Sequence, residues 1–257
     1  MKLVVALDLP TPAENYELAE KLAKIPEHML DDVLLKVGLN TYIAGGPAFL
    51  TSLSGLPFGV VLDLKLFDIP NTMASAAQRI AEHKVVKMFT VHASAGQEAL
   101  QAVHAALRMV EDRPKMLAVT SLTSMSDVTC ERVYDKAASG NTYNLLSEAV
   151  HGNADGVVCS PLDLKEIDGW LPSIMARQGP PPKLIRFVPG IELAPRQDDQ
   201  KRKGGLKEVI EGNADYIVVG RPIYQSDNPV GAAARIINVA AEMTDLKWRY
   251  ESLAKWE

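Results

Sequence analysis

The sequence predicts an α/β protein that folds as one (β/α)₈ barrel domain over residues 1–257. Eight short apolar runs alternate with segments of helical pattern along the chain. Such alternation over about 250 residues is typical of parallel strands that close into a barrel. No low-complexity linker divides the chain. The alternative is a three-layer open sheet, but no GxGxxG loop follows the first predicted strand.

The predicted strands are apolar runs rich in valine, leucine and isoleucine. They lie at residues 3–7, 33–38, 59–65, 87–91, 115–120, 155–159, 183–188 and 215–219. Helices are predicted between them, at residues 11–23, 43–53, 72–82, 94–107 and 144–151, with a further helix beginning at 206–211.

Several helix starts have recognisable capping residues. Thr11, followed by Pro12 and Glu14, has the order of an N-cap, a first-turn proline and a capping box. Ser94 with Gln97 predicts a second capping box. These signals place the helices directly after the strands that precede them.

Two further local patterns predict loop structure. Ser160 before a proline is typical of an N-cap that opens a helix. The sequence Gly-Asn-Ala-Asp occurs at 152–155 and again at 212–215, each time between a predicted helix and a predicted strand. We interpret this repetition as one type of helix-to-strand loop used twice.

Composition limits the class of protein. The chain is 47% hydrophobic and carries a net charge of −5, which disfavours a general nucleic-acid-binding surface. Cys130 and Cys159 have neither metal-site spacing nor the number that a disulfide framework needs. The apolar run at residues 3–7 is too short for a signal peptide, and no run has the length of a membrane span. We therefore expect a soluble cytoplasmic protein.

The most informative stretch is residues 63–72, directly after the third apolar run. If the strand continues, Asp63 and Lys65 point to the same side, and Asp68 follows where Ile69-Pro70 ends the extended segment. Burying these charges is costly unless they satisfy one another. A lysine held between two aspartates stays protonated and becomes a candidate proton donor. The simpler alternative is a solvated turn with ordinary surface charges.

Other polar residues fall at the carboxyl ends of the predicted strands, where barrel enzymes build their active sites. They are Asp8, Lys36, Asp63 with Lys65, His92, Thr123 and Arg221. Gly220 allows close approach of a ligand to the backbone, and Arg221 can bind a phosphate with two hydrogen bonds. A short helix after the eighth strand would add favourable amide groups. The alternatives are a surface arginine at position 221 and a structural histidine at position 92.

With these residues in view, the chain resembles the orotidine 5′-phosphate decarboxylase family along essentially its whole length. The most specific match is the D-x-K-x-x-D-I-P-x-T run from Asp63 to Thr72. Weaker matches occur in the family's order at Ala6-Leu7-Asp8, Lys36-Val37-Gly38, Thr90-Val91-His92-Ala93, Leu122-Thr123-Ser124-Met125, Val188-Pro189-Gly190-Ile191, Asp198-Asp199-Gln200-Lys201-Arg202 and Val219-Gly220-Arg221-Pro222-Ile223.

The resemblance implies a decarboxylase that makes UMP and CO₂ from orotidine 5′-phosphate with no metal and no cofactor. By the same resemblance, Lys65 protonates C6 of the pyrimidine and Asp63 lies beside the substrate carboxylate. Lys36 and Asp8 would contact the ribose, and Lys36, Asp63, Lys65 and Asp68 would form a charge network. Nucleic acid and membrane are not implied as partners.

The resemblance also implies a homodimer in which Asp68 and Thr72 reach the neighbouring subunit's site. The remaining substrate contacts that it implies are Thr123, Ser126, Gln200, Gly220 and Arg221, with residues 191–205 as a lid that closes on the phosphate. One departure is Glu192, where many bacterial members have arginine. Arg196 is the candidate to replace that contact.

Two alternatives stay open at this point. A relative on the same scaffold, such as 3-keto-gulonate-6-phosphate decarboxylase, handles a phosphorylated sugar acid with Mg²⁺; the run 69–72 and Gln200 argue against it. A catalytically silent nucleotide-binding barrel is the other, and the complete set of Asp63, Lys65 and Asp68 disfavours it.

Overall fold

Eight parallel strands pair in chain order, and the last pairs with the first, so that the sheet closes into a barrel. The computed structural model describes residues 1–175, 183–191 and 204–253. The strands are β1 (Lys2–Leu7), β2 (Val33–Gly38), β3 (Gly59–Leu66), β4 (Val86–His92), β5 (Lys115–Val119), β6 (Gly156–Val158), β7 (Ile185–Val188) and β8 (Tyr216–Val219). The predicted fold class is confirmed.

Helices follow the strands on the outside of the barrel. They are α1 (Pro12–Leu22), α2 (Glu27–Leu30), α3 (Leu39–Leu53), α4 (Pro70–Ala81), α5 (Gln97–Leu107), α6 (Asp127–Tyr134), α7 (Ala138–His151), α8 (Leu164–Ile174), α9 (Leu206–Glu211), α10 (Arg221–Tyr224) and α11 (Pro229–Leu253). Within the described residues, none of these helices is both long and apolar enough to cross a membrane.

The core has two separate layers, because strand side chains alternate between the barrel interior and the helices. The interior layer contains Val4, Ala6, Leu34, Val61, Met88, Leu117, Val119, Val158, Phe187 and Val218. The larger outer layer lies between the sheet and the helices. On four neighbouring strands, the position two residues beyond an interior apolar side chain is polar: Asp8 after Ala6, Lys36 after Leu34, Asp63 after Val61, and Thr90 after Met88. The carboxyl end of the barrel therefore carries a polar rim above an apolar interior.

The capping box at Thr11 is confirmed. The backbone N–H of Glu14 donates to the Thr11 hydroxyl at 3.2 Å, and the N–H of Thr11 donates to the Glu14 carboxylate at 2.9 Å. The capping box predicted at Ser94 is wrong. Ser94 lies in a 3₁₀ turn over Ala93–Ala95, where its N–H donates to the His92 ring at 3.2 Å.

The helix start predicted at Ser160 is also wrong. The helix α8 begins four residues later, after Asp163, and the Ser160 hydroxyl instead accepts the N–H of Leu162 at 3.0 Å. Residues 160–163 thus form a turn between strand and helix, because the Asp163 carboxylate accepts the N–H of Ser160.

The two Gly-Asn-Ala-Asp segments do form the same loop. Asn153 and Asn213 both have left-handed backbones, with φ of 57° and 54°. In each loop the aspartate carboxylate accepts a backbone N–H from the strand next to its own: Asp155 from Met116, and Asp215 from Arg186, both at 2.8 Å. The Asp155 carboxylate also forms a two-point ion pair with Arg113, at 2.6 and 2.8 Å. These contacts hold the amino end of the barrel, opposite the polar rim.

Candidate active site

Two lysine side chains contact Asp63 on the polar rim, and one of them also contacts Asp8. The Lys65 ammonium lies 2.8 and 2.9 Å from the two carboxylate oxygens of Asp63. The Lys36 ammonium lies 3.7 Å from Asp63 Oδ2 and 3.3 Å from Asp8 Oδ1. Strands β1, β2 and β3 thus contribute alternating acidic and basic groups to one continuous network. The predicted convergence of Asp8, Lys36, Asp63 and Lys65 is present in the structure.

Asp63 is the buried centre of this network. Its side chain is 14% exposed, compared with 32% for Lys65. Burial acts to raise the pKa of the Asp63 carboxyl, but the charges of Lys36 and Lys65 and the hydrogen bonds from Lys65 and Thr90 hold that pKa below its usual value. The carboxylate is therefore ionised at neutral pH, and it holds the side chain of Lys65 in place at the rim.

The backbone at Lys65 departs from the expected regular strand. Its φ is 49°, a left-handed conformation that residues other than glycine rarely adopt, and the register between β3 and β4 shifts between Leu62 and Leu66. The backbone N–H of Lys65 donates to the Thr90 hydroxyl at 2.9 Å. The strand continues through Lys65 to Leu66 as predicted, with an irregularity at Lys65, and Asp63 and Lys65 meet as predicted.

Asp68 lies outside this network within the single chain. It is exposed, and its carboxylate accepts the N–H of the adjacent Ile69 at 2.7 Å. Among the described residues it forms no ion pair within 4 Å, so Asp63 alone holds Lys65 here. Thr72, in the first turn of α4, is likewise exposed. Their predicted role in a neighbouring subunit's site stays a prediction.

His92 ends β4 beside the network. Its Nδ1 accepts the N–H of Ser94, which leaves the proton of the neutral ring on Nε2. The ring packs against Phe67, with 6.2 Å between centroids. Burial, and then the positive charge of Lys65, lower the pKa of the His92 imidazole. The structural reading of His92 as a neutral, hydrogen-bonded residue fits these contacts.

The loop after β5 carries two predicted base contacts. Thr123 is half-buried in this loop. Ser126 is the N-cap of α6, where its hydroxyl accepts the N–H of Thr129 at 3.3 Å and also bonds the Thr129 hydroxyl at 3.0 Å. The Ser126 hydroxyl therefore has a structural partner of its own, and its contact with the base stays a prediction.

The predicted phosphate residues lie after β8. Gly220 precedes the short helix α10, which begins at Arg221 as predicted. A Cβ at Gly220 would lie 3.3 Å from the Tyr224 ring and 3.4 Å from Ala6 Cβ, so glycine allows this tight packing beside β1. Arg196, Gln200 and most of the proposed lid at 191–205 lie outside the described residues.

Thr90 is the site residue that sequence reasoning missed. Its side chain is 1% exposed, and its hydroxyl donates to Asp63 Oδ1 at 2.8 Å. The sequence signal for Thr90 was its position on the strand. It lies two residues after the interior residue Met88, so its side chain points to the same side. In the described ranges, no group of three or more His, Cys, Asp or Glu side chains is arranged to hold a metal ion.

Comparison with known proteins identifies the family. Residues 1–236 match the model of the orotidine 5′-phosphate decarboxylase / HUMPS family. The chain is 38% identical to the orotidine 5′-phosphate decarboxylase of Nautilia profundicola over 95% of this chain and 100% of the relative. It is 40% identical to that of Sulfurimonas denitrificans over 92% and 99%. The crystal structure of orotidine 5′-phosphate decarboxylase from Lactobacillus acidophilus is similar with a TM-score of 0.71 and 30% identity, over 93% of this chain and 98% of that one. The chain therefore belongs to the orotidine 5′-phosphate decarboxylase / HUMPS family.

Proposed function

We propose that the chain is a carboxy-lyase that converts orotidine 5′-phosphate to UMP and CO₂, the last step of de novo UMP synthesis. Support comes from the family match over residues 1–236 and from relatives of that name that align over almost their full length. The observation that carries the proposal is the ammonium of Lys65 held within 2.9 Å of both carboxylate oxygens of the buried Asp63.

Decarboxylation at C6 of the pyrimidine needs a fixed positive charge. When the bond between C6 and the carboxylate breaks, CO₂ leaves and the electron pair stays on C6. A preorganised ammonium stabilises this developing charge without reorganising, and it then donates a proton from Nζ to C6. Lys65 is left as a neutral amine and regains a proton from water. No metal or cofactor is required for these steps.

The rest of the rim would bind and orient the substrate. From the family resemblance we assign Asp63 to the side of the substrate carboxylate, and Lys36 with Asp8 to the ribose hydroxyls. The Lys36 ammonium lies between the carboxylates of Asp8 and Asp63, so these groups are within reach of one ligand. The base would contact Thr123 and Ser126, and the phosphate would contact Gly220, Arg221, Gln200 and Arg196, with residues 191–205 closing over it. Closure on the phosphate would let remote binding energy act at C6.

We further propose that two copies of the chain form a homodimer with shared sites. Residues 67–72 are all exposed at the edge of the site. Phe67 and Ile69 are 66% and 67% exposed, and on the preceding rim segment Leu39 and Ile43 are 51% and 79% exposed. Large apolar side chains this exposed favour a protein partner. In a dimer through this surface, Asp68 and Thr72 of one copy would lie beside Lys65 of the other copy.

A cytoplasmic setting is the last part of the proposal. The chain has two cysteines, Cys130 and Cys159, and both are buried. Two cysteines are too few for a disulfide framework, and a chain without one suits a reducing compartment.

The decisive assay is the loss of substrate absorbance when the purified chain is mixed with orotidine 5′-phosphate, with and without EDTA. Turnover that EDTA does not change supports the proposal. Turnover of a phosphorylated sugar acid that EDTA abolishes, with no turnover of orotidine 5′-phosphate, would overturn it in favour of a Mg²⁺-dependent relative. Binding of UMP with no turnover at all would overturn it in favour of a silent nucleotide-binding barrel.

A further inference from the structure

One buried hydroxyl contacts both residues at the centre of the proposed reaction. Thr90 Oγ1 donates to Asp63 Oδ1 at 2.8 Å and accepts the backbone N–H of Lys65 at 2.9 Å. We propose that Thr90 is a positioning residue for decarboxylation, because its hydroxyl fixes both the carboxylate of Asp63 and the backbone that carries the Lys65 ammonium. This inference rests on the proposed function and adds a residue that acts through the other two.

The contact between the Thr90 hydroxyl and the Lys65 N–H takes the place of a missing hydrogen bond between β3 and β4. Between Leu62 and Leu66 the pairing of β3 with β4 is interrupted, and Lys65 turns into the left-handed conformation there. A half-buried backbone N–H at such a break needs another acceptor. The Thr90 hydroxyl is that acceptor, and it comes from the neighbouring strand. It therefore holds the irregular part of β3 that carries Lys65.

The contact between the Thr90 hydroxyl and Asp63 fixes the rotation of the Asp63 carboxylate. A hydroxyl has one hydrogen to donate, and Thr90 donates it to the same oxygen that accepts the closer bond from Lys65, also at 2.8 Å. The other oxygen accepts from Lys65 at 2.9 Å and faces Lys36 at 3.7 Å. Because each oxygen has its own partner besides Lys65, the carboxylate is held in one orientation. The Lys65 ammonium then binds it in one position. Thr90 is 1% exposed, so its hydroxyl is shielded from bulk water.

The test is Thr90→Val, which keeps the shape of the side chain and removes the hydroxyl. We expect kcat for orotidine 5′-phosphate to fall about 10²-fold, the scale of a misplaced reacting group. KM and the affinity for UMP should change little, because the phosphate and ribose contacts remain. The acidic limb of the kcat/KM profile should move to higher pH, because the Asp63 carboxyl loses a hydrogen bond to its ionised form. Thr90→Ser should recover most of kcat.

Thr142→Val is the matched control, since Thr142 is also fully buried and its hydroxyl donates to Ala138 O at 2.8 Å within α7. This control should leave kcat and the pH profile unchanged. If Thr90→Val does not fold, the smaller Thr90→Ala gives the same readout. A folded Thr90→Val or Thr90→Ala with wild-type kcat and pH profile would overturn the inference. An inactive wild-type chain would instead defeat the proposed function, so the two failures are distinct.

Discussion

The ammonium of Lys65 reaches both carboxylate oxygens of Asp63, two residues earlier, and the backbone of Lys65 leaves the extended conformation. In a regular strand the two Cα atoms would stand about 6.6 Å apart with parallel side chains. Here the φ of Lys65 is 49°, and its Nζ lies 2.8 Å from Asp63 Oδ1. A left-handed backbone costs a residue with a side chain about 1–2 kcal/mol. The proposed proton donor is thus held in place at some expense to stability.

This backbone conformation predicts an unusual order of stability between two variants at position 65. Lys65→Gly should be more stable than Lys65→Ala by about 1 kcal/mol, because glycine adopts positive φ without strain. At a regular strand position the order would be reversed, since glycine there is destabilising relative to alanine. Urea unfolding of both proteins measures the difference. Equal stability, or a more stable alanine variant, would contradict a left-handed Lys65.

A shared active site predicts complementation between inactive subunits. Mixing Asp68→Asn and Lys65→Ala chains in equal amounts should restore about a quarter of the wild-type sites, because half of random dimers are mixed and each then carries one intact site. Activity is measured after the subunits have been exchanged and mixed dimers verified.

Lys36→Ala mixed with Lys65→Ala is the control for this experiment. Both lysines contact the same Asp63 in one chain, so no mixed dimer would contain a complete site. Verified mixed dimers of Asp68→Asn and Lys65→Ala that stay inactive would count against a shared site.

The ion pair at the opposite end of the barrel predicts a pH-dependent contribution to stability. Burial acts to raise the pKa of the Asp155 carboxyl, but its bonds with Arg113 and Met116 hold that pKa below its usual value. Because the folded pKa is the lower one, the stabilisation is present above the unfolded value of about 3.9 and is lost as pH falls through the folded pKa. The stabilisation of the wild type by the Asp155 ion pair should therefore be lost only at acidic pH.

The measurement compares wild type with Asp155→Asn by urea unfolding at several pH values. At pH 7 the variant should be less stable by about 2–3 kcal/mol, the scale of hydrogen bonds to a charged group. The difference should narrow as the pH falls below about 4. Glu17→Gln, on the exposed face of α1, should have little effect at any pH. A difference that is constant over this range would contradict the assigned role of Asp155.

Much of the polar rim could be predicted from the sequence, because side chains alternate between the two faces of a strand. Asp8, Lys36 and Asp63 each lie two residues beyond an interior apolar position, so a barrel necessarily brings them together. Thr90 obeys the same rule, but threonine is common in strands for reasons of propensity, and its role is visible only through its partners. The left-handed backbone of Lys65 has no sequence signal, since residues 63–66 contain no glycine or asparagine.

Helix boundaries were less predictable where local signals conflict. The helix α3 was predicted to begin at residue 43, but it begins at Leu39 and continues past a kink at Gly46, where φ is 57°. The helix α6 was missed, because among its eight residues only Cys130 is buried and no apolar stripe marks it. Ser94 and Ser160 are followed by residues typical of a helix start, but both lie in turns. The N–H of Ser94 donates to the His92 ring, and the N–H of Ser160 donates to the Asp163 carboxylate.

The most direct measurement of the central claim is the turnover of Lys65→Ala with orotidine 5′-phosphate, alongside its affinity for UMP. The variant should fold, bind UMP, and lose at least about 10²–10³ in kcat, the effect of removing one preorganised group that stabilises developing charge. Turnover near that of the wild type, in a variant whose UMP affinity is unchanged, would contradict Lys65 as the proton donor.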